Sequence, residues 1–266
     1  MPKEVINLKM TNMGRIIVST GRGGCGKTTF VTLATRYLPT PMLLIDLDPD
    51  LSLADMLGID LKAEKIKTVS DALYDIIEER RNGAQTGSLT VHDKMEFLLQ
   101  SDCLYEGEKF DLITLGTKLT PGCYCIPDDL LKVHIPRLAK GYRNVVIDSP
   151  AGLEHLNRKV VSDIDDIFVL LDPSSKSLKH IERIKDITAS VGIAYNNFYL
   201  VGNYAFDEES EKFLSEKEEK YLGRVDYDDN LKEYNLNGKS LLELNENSPA
   251  CSSIKKVLKK AGYSIS

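Results

Sequence analysis

A glycine-rich run near the start of the chain carries the clearest chemical potential. Residues 21–28 are Gly-Arg-Gly-Gly-Cys-Gly-Lys-Thr, which fits the phosphate-binding pattern G-x-x-x-x-G-K-[ST] in full. In such a loop backbone N–H groups turn toward phosphate oxygens, and the following helix adds a favourable dipole. We predict that Lys27 contacts the β- and γ-phosphates, that Thr28 ligates Mg²⁺, and that Thr29 donates to the α-phosphate. The other predicted nucleotide contacts in the loop are Gly23, Gly24, Cys25 and Gly26.

Two acidic segments follow predicted strands and are the expected companions of this loop. Asp48 follows a strand at 42–47, and Asp148 follows a strand at 145–147. Parallel strands end at one edge of a sheet, where α/β proteins bind their ligands. We predict that Asp48 positions the attacking water, that Asp148 holds the Mg²⁺ shell, and that Gly152 offers its N–H to the γ-phosphate. A single Asp at the end of a strand often only stabilises a turn or caps a helix. The prediction therefore depends on the presence of two such residues beside a phosphate-binding loop.

Two cysteines, Cys123 and Cys125, are separated by one residue and could act together as metal ligands. Thiolates are soft ligands that suit Ni²⁺, Zn²⁺ and Cu⁺. One pair supplies two ligands where a tetrahedral site needs four, and two chains meeting on a two-fold axis would complete the set. The alternative is a loop with two ordinary thiols, and this short pattern does not decide between them.

These groups need a scaffold, and the rest of the sequence alternates between strand-like and helix-like segments. Strands are predicted at 15–20, 42–47, 145–147, 167–171 and 198–201, and helices at 27–38, 69–81, 174–190, 210–220 and 249–260. The stretch 83–129 is less regular, and we expect an insertion there with short strands at 95–100 and 110–115. Such alternation forms βαβ units. We predict a single α/β P-loop NTPase domain over 1–266, with a mostly parallel twisted sheet and helices on both faces.

The composition is that of a soluble globular protein. Hydrophobic residues are 42% and charged residues 28% of the 266, which argues against disorder and coiled coil. No apolar run approaches the ~20 residues that span a bilayer, and residues 1–13 lack the apolar segment of a secretory signal. The net charge of −6 gives no global basic surface for nucleic acid. Five cysteines, an odd number, make a disulfide framework improbable, and we expect a cytoplasmic protein.

Three of these segments together resemble the deviant Walker A ATPases, a group that includes the MinD, ParA, arsenite-pump and nitrogenase iron-protein families. They are the loop at 21–28, the Asp-x-Asp-Pro run at 46–49 and the Asp-Ser-Pro-Ala-Gly run at 148–152. The resemblance implies a homodimer in which a signature lysine reaches the nucleotide of the partner. Arg22 stands at that position here. It keeps the positive charge with a different shape, and the resemblance implies that it acts on the partner's nucleotide.

Within that group the chain resembles the CooC-type nickel-insertion ATPases of carbon monoxide dehydrogenase maturation. The resemblance rests on Cys-Tyr-Cys at 123–125 and on Ala-Gly-Leu-Glu-His-Leu at 151–156. It implies an ATP-dependent metallochaperone in which Cys123 and Cys125 of two chains bind one Ni²⁺ or Zn²⁺. The implied client is carbon monoxide dehydrogenase or acetyl-CoA synthase. The alternative is a MinD- or ParA-like regulatory or spatial-organising ATPase without a metal-delivery role. His155 receives no assigned role.

Other members of the group fit these residues less well. A nitrogenase iron protein has a cysteine closely after the segment at 148–152, and 153–163 contains none. ParA-type proteins need a basic DNA-binding surface, and this chain is acidic. MinD-type membrane cycling needs an amphipathic C-terminal helix, whereas 249–260 has a small apolar side without Trp or Phe. We expect that helix to pack on the sheet, with no nucleic acid partner and no stable membrane insertion.

The base of the nucleotide has the weakest sequence evidence. Asn203 follows the predicted strand at 198–201, and its amide offers a donor and an acceptor that match adenine N6 and N7. The run 223–228 resembles the loop beside the base in the deviant Walker A group, with Asp226 in place of proline. The resemblance therefore implies that ATP and ADP, rather than guanine nucleotides, occupy the site.

Overall fold

The structure, a computed structural model, describes residues 14–82, 90–117, 125–157 and 159–265. Within them the strands are β1 (Arg15–Gly21), β2 (Met42–Asp46), β3 (Tyr105–Glu106), β4 (Asp111–Thr114), β5 (Asn144–Asp148), β6 (Asp163–Leu171), β7 (Ala194–Gly202) and β8 (Lys220–Arg224). The α-helices are α1 (Lys27–Ala34), α2 (Ser52–Leu57), α3 (Val69–Arg81), α4 (Val91–Ser101), α5 (Cys125–Leu138), α6 (Glu154–Asn157), α7 (Ser175–Val191), α8 (Glu208–Ser215), α9 (Asp229–Leu236) and α10 (Pro249–Lys260).

All strands belong to one sheet in the order β3-β4-β2-β5-β1-β6-β7-β8. Neighbouring strands are parallel, except that β3 is antiparallel to β4. β1 lies between β5 and β6, with Ser19 opposite Asp148 and Gly21 opposite Leu170. The carboxyl ends of β1, β2 and β5 therefore lie side by side at one edge. The predicted fold class, an α/β domain with a mostly parallel sheet and helices on both faces, is confirmed.

The two faces of the sheet form two separate hydrophobic cores, because successive side chains of a strand point to opposite faces. Ile16 and Val18 of β1 lie in the first core, and Ile17 lies in the second. Helices α3, α4, α5 and α7 cover the first core with Ile76, Leu99, Leu131 and Ile184. Helices α1, α2 and α10 cover the second with Phe30, Leu53 and Ile254. Burial on both faces explains why the central strands are almost wholly apolar.

One predicted helix is wrong at its C-terminal end. The segment 210–220 was expected to be helical throughout, whereas α8 ends at Ser215 and Lys220 begins strand β8. Only Leu222 of β8 is fully buried, so the segment has too few apolar residues to show a strand pattern. Its pairing with the edge of β7 makes it a strand, which is a tertiary effect on a weak local preference.

The described parts of the region 83–129, residues 90–117 and 125–129, are more regular than the sequence indicates. The strand predicted at 95–100 is wrong. Those residues lie in α4, whose start is fixed by a capping box between Thr90 and Asp93. Met95 and Leu99, four residues apart, are its buried positions, which is the spacing of a helix face. The strand predicted at 110–115 is confirmed as β4, and it pairs with β2 at the sheet.

The last helix packs on the sheet as predicted. Ile254 and Val257 of α10 are fully buried in the second core, while Lys256 and Lys259 face solvent. The apolar stripe of this helix is therefore used for internal packing. Among the helices in the described part of the chain, none combines the length and the apolar character that crossing a membrane requires.

Candidate functional site

The glycine-rich loop joins β1 to α1 and requires glycine at both of its ends. A Cβ on Gly21 would lie 2.4 Å from the Leu170 carbonyl oxygen and 2.8 Å from the Cys25 sulfur. Gly26 caps α1 with a φ of 96°, a left-handed conformation that favours glycine. The loop can therefore turn tightly between β6 and the N-terminus of α1, where free N–H groups point outward.

The backbone of Arg22 holds two side chains of the loop in place. The Lys27 Nζ donates to the Arg22 carbonyl oxygen at 3.1 Å, and the Cys25 Sγ donates to the same oxygen at 2.8 Å. Lys27 is buried, and burial raises the pKa of the Cys25 thiol. Cys25 is thus a neutral side chain that fills the loop, and the Lys27 ammonium lies across the loop where phosphate oxygens would replace the carbonyl.

Two buried carboxylates lie at the ends of the two strands next to β1 on one side of the sheet. Asp46 and Asp148 end β2 and β5 and are opposite each other in the strand register, and both are fully buried. Burial raises the pKa of Asp148 to about 7, although the nearby Thr28 hydroxyl and Lys27 ammonium favour its charged form. Among the described residues, neither carboxylate oxygen of Asp148 has a hydrogen-bond partner.

Asp46 is a site residue that the sequence analysis did not single out. It accepts hydrogen bonds from the backbone N–H groups of Asp48 and Leu53, at 2.9 Å and 3.3 Å. Burial, and then the charge of Asp148, raise its pKa well above the ordinary value. Asp46 thereby fixes the acidic segment after β2. The signal was present in the sequence, because Asp46 and Asp148 each end an apolar run, but their register decides that they are neighbours.

The residues present fit a Mg²⁺ ion. Asp148 offers two unpartnered carboxylate oxygens beside the Thr28 hydroxyl, and hard oxygen ligands are those that Mg²⁺ prefers. Buried hydroxyls without a hydrogen-bond partner in the described chain also lie at the carboxyl ends of β1 and β5. They belong to Ser19, Thr20 and Ser149. A site with this many unsatisfied buried polar atoms is built for a polar ligand.

The acidic segment after β2 lies at the same edge of the sheet as the segment after β5, and the latter contacts the glycine-rich loop. Asp48 is half-buried, and its carboxylate accepts from the Asp50 N–H at 3.1 Å. A Cβ on Gly23 would lie 3.5 Å from the Cβ of Ala151, so the segment after β5 touches the loop. Gly152 has a φ of 99°. The structure thus brings Asp48, Asp148 and Gly152 to the predicted edge, and their individual roles stay predictions.

A cavity of about 410 Å³ lies between the glycine-rich loop and α9. Asn203 lines it, and its Oδ1 accepts from the Ala205 N–H at 3.0 Å, which leaves the amide NH₂ group as a donor. Tyr204 and Tyr227 form its aromatic wall, with ring centroids 5.7 Å apart in an edge-on arrangement. The sequence did not indicate this pair, because the two tyrosines are far apart along the chain.

Arg22 and His155 have environments that the sequence did not indicate. The Arg22 side chain binds Asp172 and Ser174 of its own chain, at the end of β6. His155 is buried in α6, and burial lowers its pKa to about 3, so that it is neutral. Neither ring nitrogen has a partner within the described ranges.

The predicted metal site lies largely outside the described residues. Cys123 is not among them, and Cys125 begins α5, where only the backbone is described. Three other cysteines are buried free thiols: Cys25, Cys103 and Cys251. No group of three or more His, Cys, Asp or Glu side chains in the described ranges is arranged to hold a metal ion.

Comparisons with known proteins agree with this geometry. The sequence model of the AAA_31 family, an AAA domain, matches residues 13–198. An uncharacterized ATP-binding protein of Methanocaldococcus jannaschii is 30% identical over 253 residues, which cover 92% of this chain and 97% of that protein. The carbon monoxide dehydrogenase accessory protein CooC of Rhodospirillum rubrum is 25% identical over 246 residues, which cover 88% of this chain and 91% of that protein.

Solved structures show the same fold at low sequence identity. The MinC:MinD cell division protein complex of Aquifex aeolicus contains a chain that superposes with a TM-score of 0.65 at 19% identity. The match covers 93% of this chain and 96% of that one. The arrangement of the sheet and helices is therefore that of ParA- and MinD-like P-loop proteins.

The buried carboxylate makes the stability of the nucleotide-free chain depend on pH. The folded-state pKa of Asp148, about 7, lies above the ordinary value of 3.8, so its contribution to stability is lost as pH rises from about 4 through 7. We expect Asp148→Asn to reduce this loss and to raise the free energy of unfolding at pH 8 by on the order of a few kcal/mol.

Urea unfolding in EDTA at pH 5 and pH 8 measures this difference. The exposed Asp50→Asn is the matched control and should follow the wild type. If Asp148→Asn and the wild type lose the same free energy of unfolding between pH 5 and pH 8, Asp148 is not the source of the pH dependence.

The tyrosine wall generates a second prediction. Aromatic stacking on a base contributes roughly 1–3 kcal/mol, so Tyr204→Ala should weaken ATP binding about tenfold in calorimetric titration. Tyr204→Phe keeps the ring and should stay within about twofold of wild type. Unchanged affinity in Tyr204→Ala would place the base outside this cavity.

Proposed function

The chain belongs to the AAA_31 family of P-loop ATPases, and on that premise we propose that it hydrolyses ATP slowly as a Mg²⁺-dependent, nucleotide-switched homodimer. The observation that carries the proposal is Asp148, a fully buried carboxylate with two unpartnered oxygens beside Thr28 and Lys27. Such a group is costly in a free chain. It fits a site in which Mg²⁺, the positive partner of the carboxylate, arrives together with ATP.

The side chains at this edge would divide the work of phosphoryl transfer. Lys27 leaves the Arg22 carbonyl oxygen to bind phosphate oxygens, and Thr28 and Asp148 hold the Mg²⁺ shell. Bound Mg²⁺ neutralises charge on the phosphates. Asp48, half-buried on the segment anchored by Asp46, orients the attacking water. Catalysis then depends mostly on position and charge, because phosphoryl transfer requires little covalent chemistry from the protein.

We further propose that the cargo of this switch is a metal ion. Cys123 and Cys125 of two chains would bind one Ni²⁺ or Zn²⁺ for delivery to carbon monoxide dehydrogenase or acetyl-CoA synthase. Two observations support this: the Cys-Tyr-Cys run stands immediately before and at the start of α5, and the CooC accessory protein is similar over 88% of this chain. Leu131 and Ile135 bury α5 in the first core, so metal binding at Cys125, the first residue of α5, would be connected to the sheet.

The alternative function is a MinD- or ParA-like spatial-organising ATPase with incidental cysteines. The fold likeness to the MinD chain of the MinC:MinD complex favours it. In this case Arg22 and the nucleotide would serve association with a partner protein or surface, and no metal would be carried. The two functions share the ATPase site and differ in whether Cys123 and Cys125 bind a metal ion.

Lys27 and Asp48 should separate nucleotide binding from hydrolysis. We expect Lys27→Ala to abolish tight ATP binding, because the ammonium is the phosphate contact. Asp48→Ala should keep ATP affinity within a few-fold and reduce turnover by at least about a hundredfold, since water orientation is lost. Phosphate release and equilibrium binding measure the two quantities. Turnover at the wild-type rate in Asp48→Ala would remove Asp48 from the mechanism.

The cysteine pair separates the two candidate functions. The variant Cys123→Ser with Cys125→Ser should lose one Ni²⁺ or Zn²⁺ per dimer in elemental analysis, while monomeric ATP affinity remains. In the wild type, metal binding should weaken as pH falls, because thiolates must be deprotonated.

The control is Cys103→Ala, which removes a buried thiol outside this loop and should retain the metal. A double variant that still binds one metal ion per dimer would exclude the cysteine site. A wild-type protein that binds no metal would support the spatial-organising alternative.

A further inference from the structure

The guanidinium of Arg22 is held at one place on its own chain. Its NH1 group donates to the Asp172 Oδ2 at 3.0 Å and to the Ser174 Oγ at 3.2 Å. The side chains of Arg22 and Asp172 are 35% and 26% exposed, so the pair lies at the rim of the site. The resemblance to the deviant Walker A ATPases implies that Arg22 acts on the nucleotide of a partner chain. In the single chain its guanidinium instead contacts Asp172 and Ser174.

The acceptors of this contact are built by the loop between β6 and α7. The Asp172 N–H donates to the Ser177 Oγ at 3.3 Å, and the Ser174 N–H donates to the Asp172 carbonyl oxygen at 2.8 Å. Ser174 also caps α7 by accepting from the Ser177 N–H. These bonds hold the backbone of both acceptor residues and the Ser174 hydroxyl independently of Arg22. We call Asp172 and Ser174 the resting seat of Arg22.

The resting seat binds Arg22 incompletely. One guanidinium nitrogen makes both contacts, whereas a bidentate pair would use two nitrogens and both carboxylate oxygens. The second oxygen of Asp172, Oδ1, is buried without a partner among the described residues. A partly exposed contact through one nitrogen favours the bound position of Arg22 over its free positions by only a few-fold in population. An anion that accepts the guanidinium bidentately can therefore remove it.

We propose that Asp172 is a positioning residue for Arg22. In the single chain it holds the guanidinium on the resting seat, and when two chains associate the phosphates of the partner's nucleotide take the guanidinium from Asp172. This inference rests on the proposed homodimer and names a step in its assembly. In this exchange the guanidinium loses a contact through one nitrogen to a carboxylate and gains a bidentate contact to phosphate. Lys27, which now donates to the Arg22 carbonyl oxygen, would bind the nucleotide of its own chain.

The exchange predicts that Asp172 opposes association. Asp172→Asn keeps the shape and an acceptor but removes the charge. With Mg²⁺ and a non-hydrolysable ATP analogue, analytical ultracentrifugation should show a dimer dissociation constant that is about two- to fivefold lower than in wild type. The control Glu209→Gln removes an exposed acid from the same groove and should leave the constant unchanged.

A double-mutant cycle separates positioning from a general structural effect. In the Arg22→Ala background, Asp172→Asn should have no effect on association, because the group that it releases is absent. An equal gain with and without Arg22 would overturn the inference, as would an Asp172→Asn variant that dimerises no better than the wild type.

A second measurement needs no dimer. Phenylglyoxal modifies free guanidinium groups, and peptide mass spectrometry of the nucleotide-free chain follows its rate at Arg22. Asp172→Asn should raise this rate about two- to fivefold, and Glu209→Gln should not change it. An unchanged rate would disprove the resting seat. A wild-type chain that stays monomeric with the analogue would overturn the homodimer, whereas the labelling rate still decides whether Asp172 holds Arg22.

Discussion

The burial of Asp148 at the end of β5 is the constraint on which the site depends. β5 is flanked by β1 and β2, and Asp148 is fully buried at its end. Neither carboxylate oxygen has a hydrogen-bond partner among the described residues, and the nearby Thr28 hydroxyl and Lys27 ammonium offset the burial only in part. Burying a charge without a partner is costly, and the consequence is a pKa of about 7. The free chain therefore carries an electrostatic cost that the proposed Mg²⁺ ion would offset. Ligand binding and stability would then be linked at this one carboxylate.

The hydrophobic cores make this arrangement rigid. Phe168 of β6 lies 5.1 Å, between ring centroids, from both Phe30 of α1 and Tyr199 of β7. Gly21 meanwhile approaches the Leu170 carbonyl so closely that no side chain fits. The strand before the glycine-rich loop and the helix after it are therefore fixed against the same strand. A phosphate-binding loop held at both ends does not need to order itself when the ligand arrives.

The positive charges of the site are held less firmly than the frame. The Lys27 ammonium donates to a carbonyl oxygen, and the Arg22 guanidinium donates to one carboxylate oxygen. The phosphate oxygens of a nucleotide carry more negative charge than either acceptor. Neither contact is bidentate. The proposed nucleotide-dependent switch would require this difference between a rigid frame and exchangeable cations, because the ligand must change contacts without unfolding the loop.

The sequence alone determined the glycine-rich loop, the alternation of strands and helices, and the acidic ends of β2 and β5, because these depend on local residue types and spacing. Tertiary structure decided the neighbourhood of Asp46 and Asp148, the meeting of Tyr204 with Tyr227, and the contact of Arg22 with Asp172. Each joins residues far apart in the chain, and sheet order, which sets their distance, has no local signature. The same reason explains one of the two errors, because β8 is a strand through its pairing with the edge of β7. The error at 95–100 has a different cause. The capping box of Thr90 and the four-residue spacing of Met95 and Leu99 are local signals of a helix that the sequence already contains.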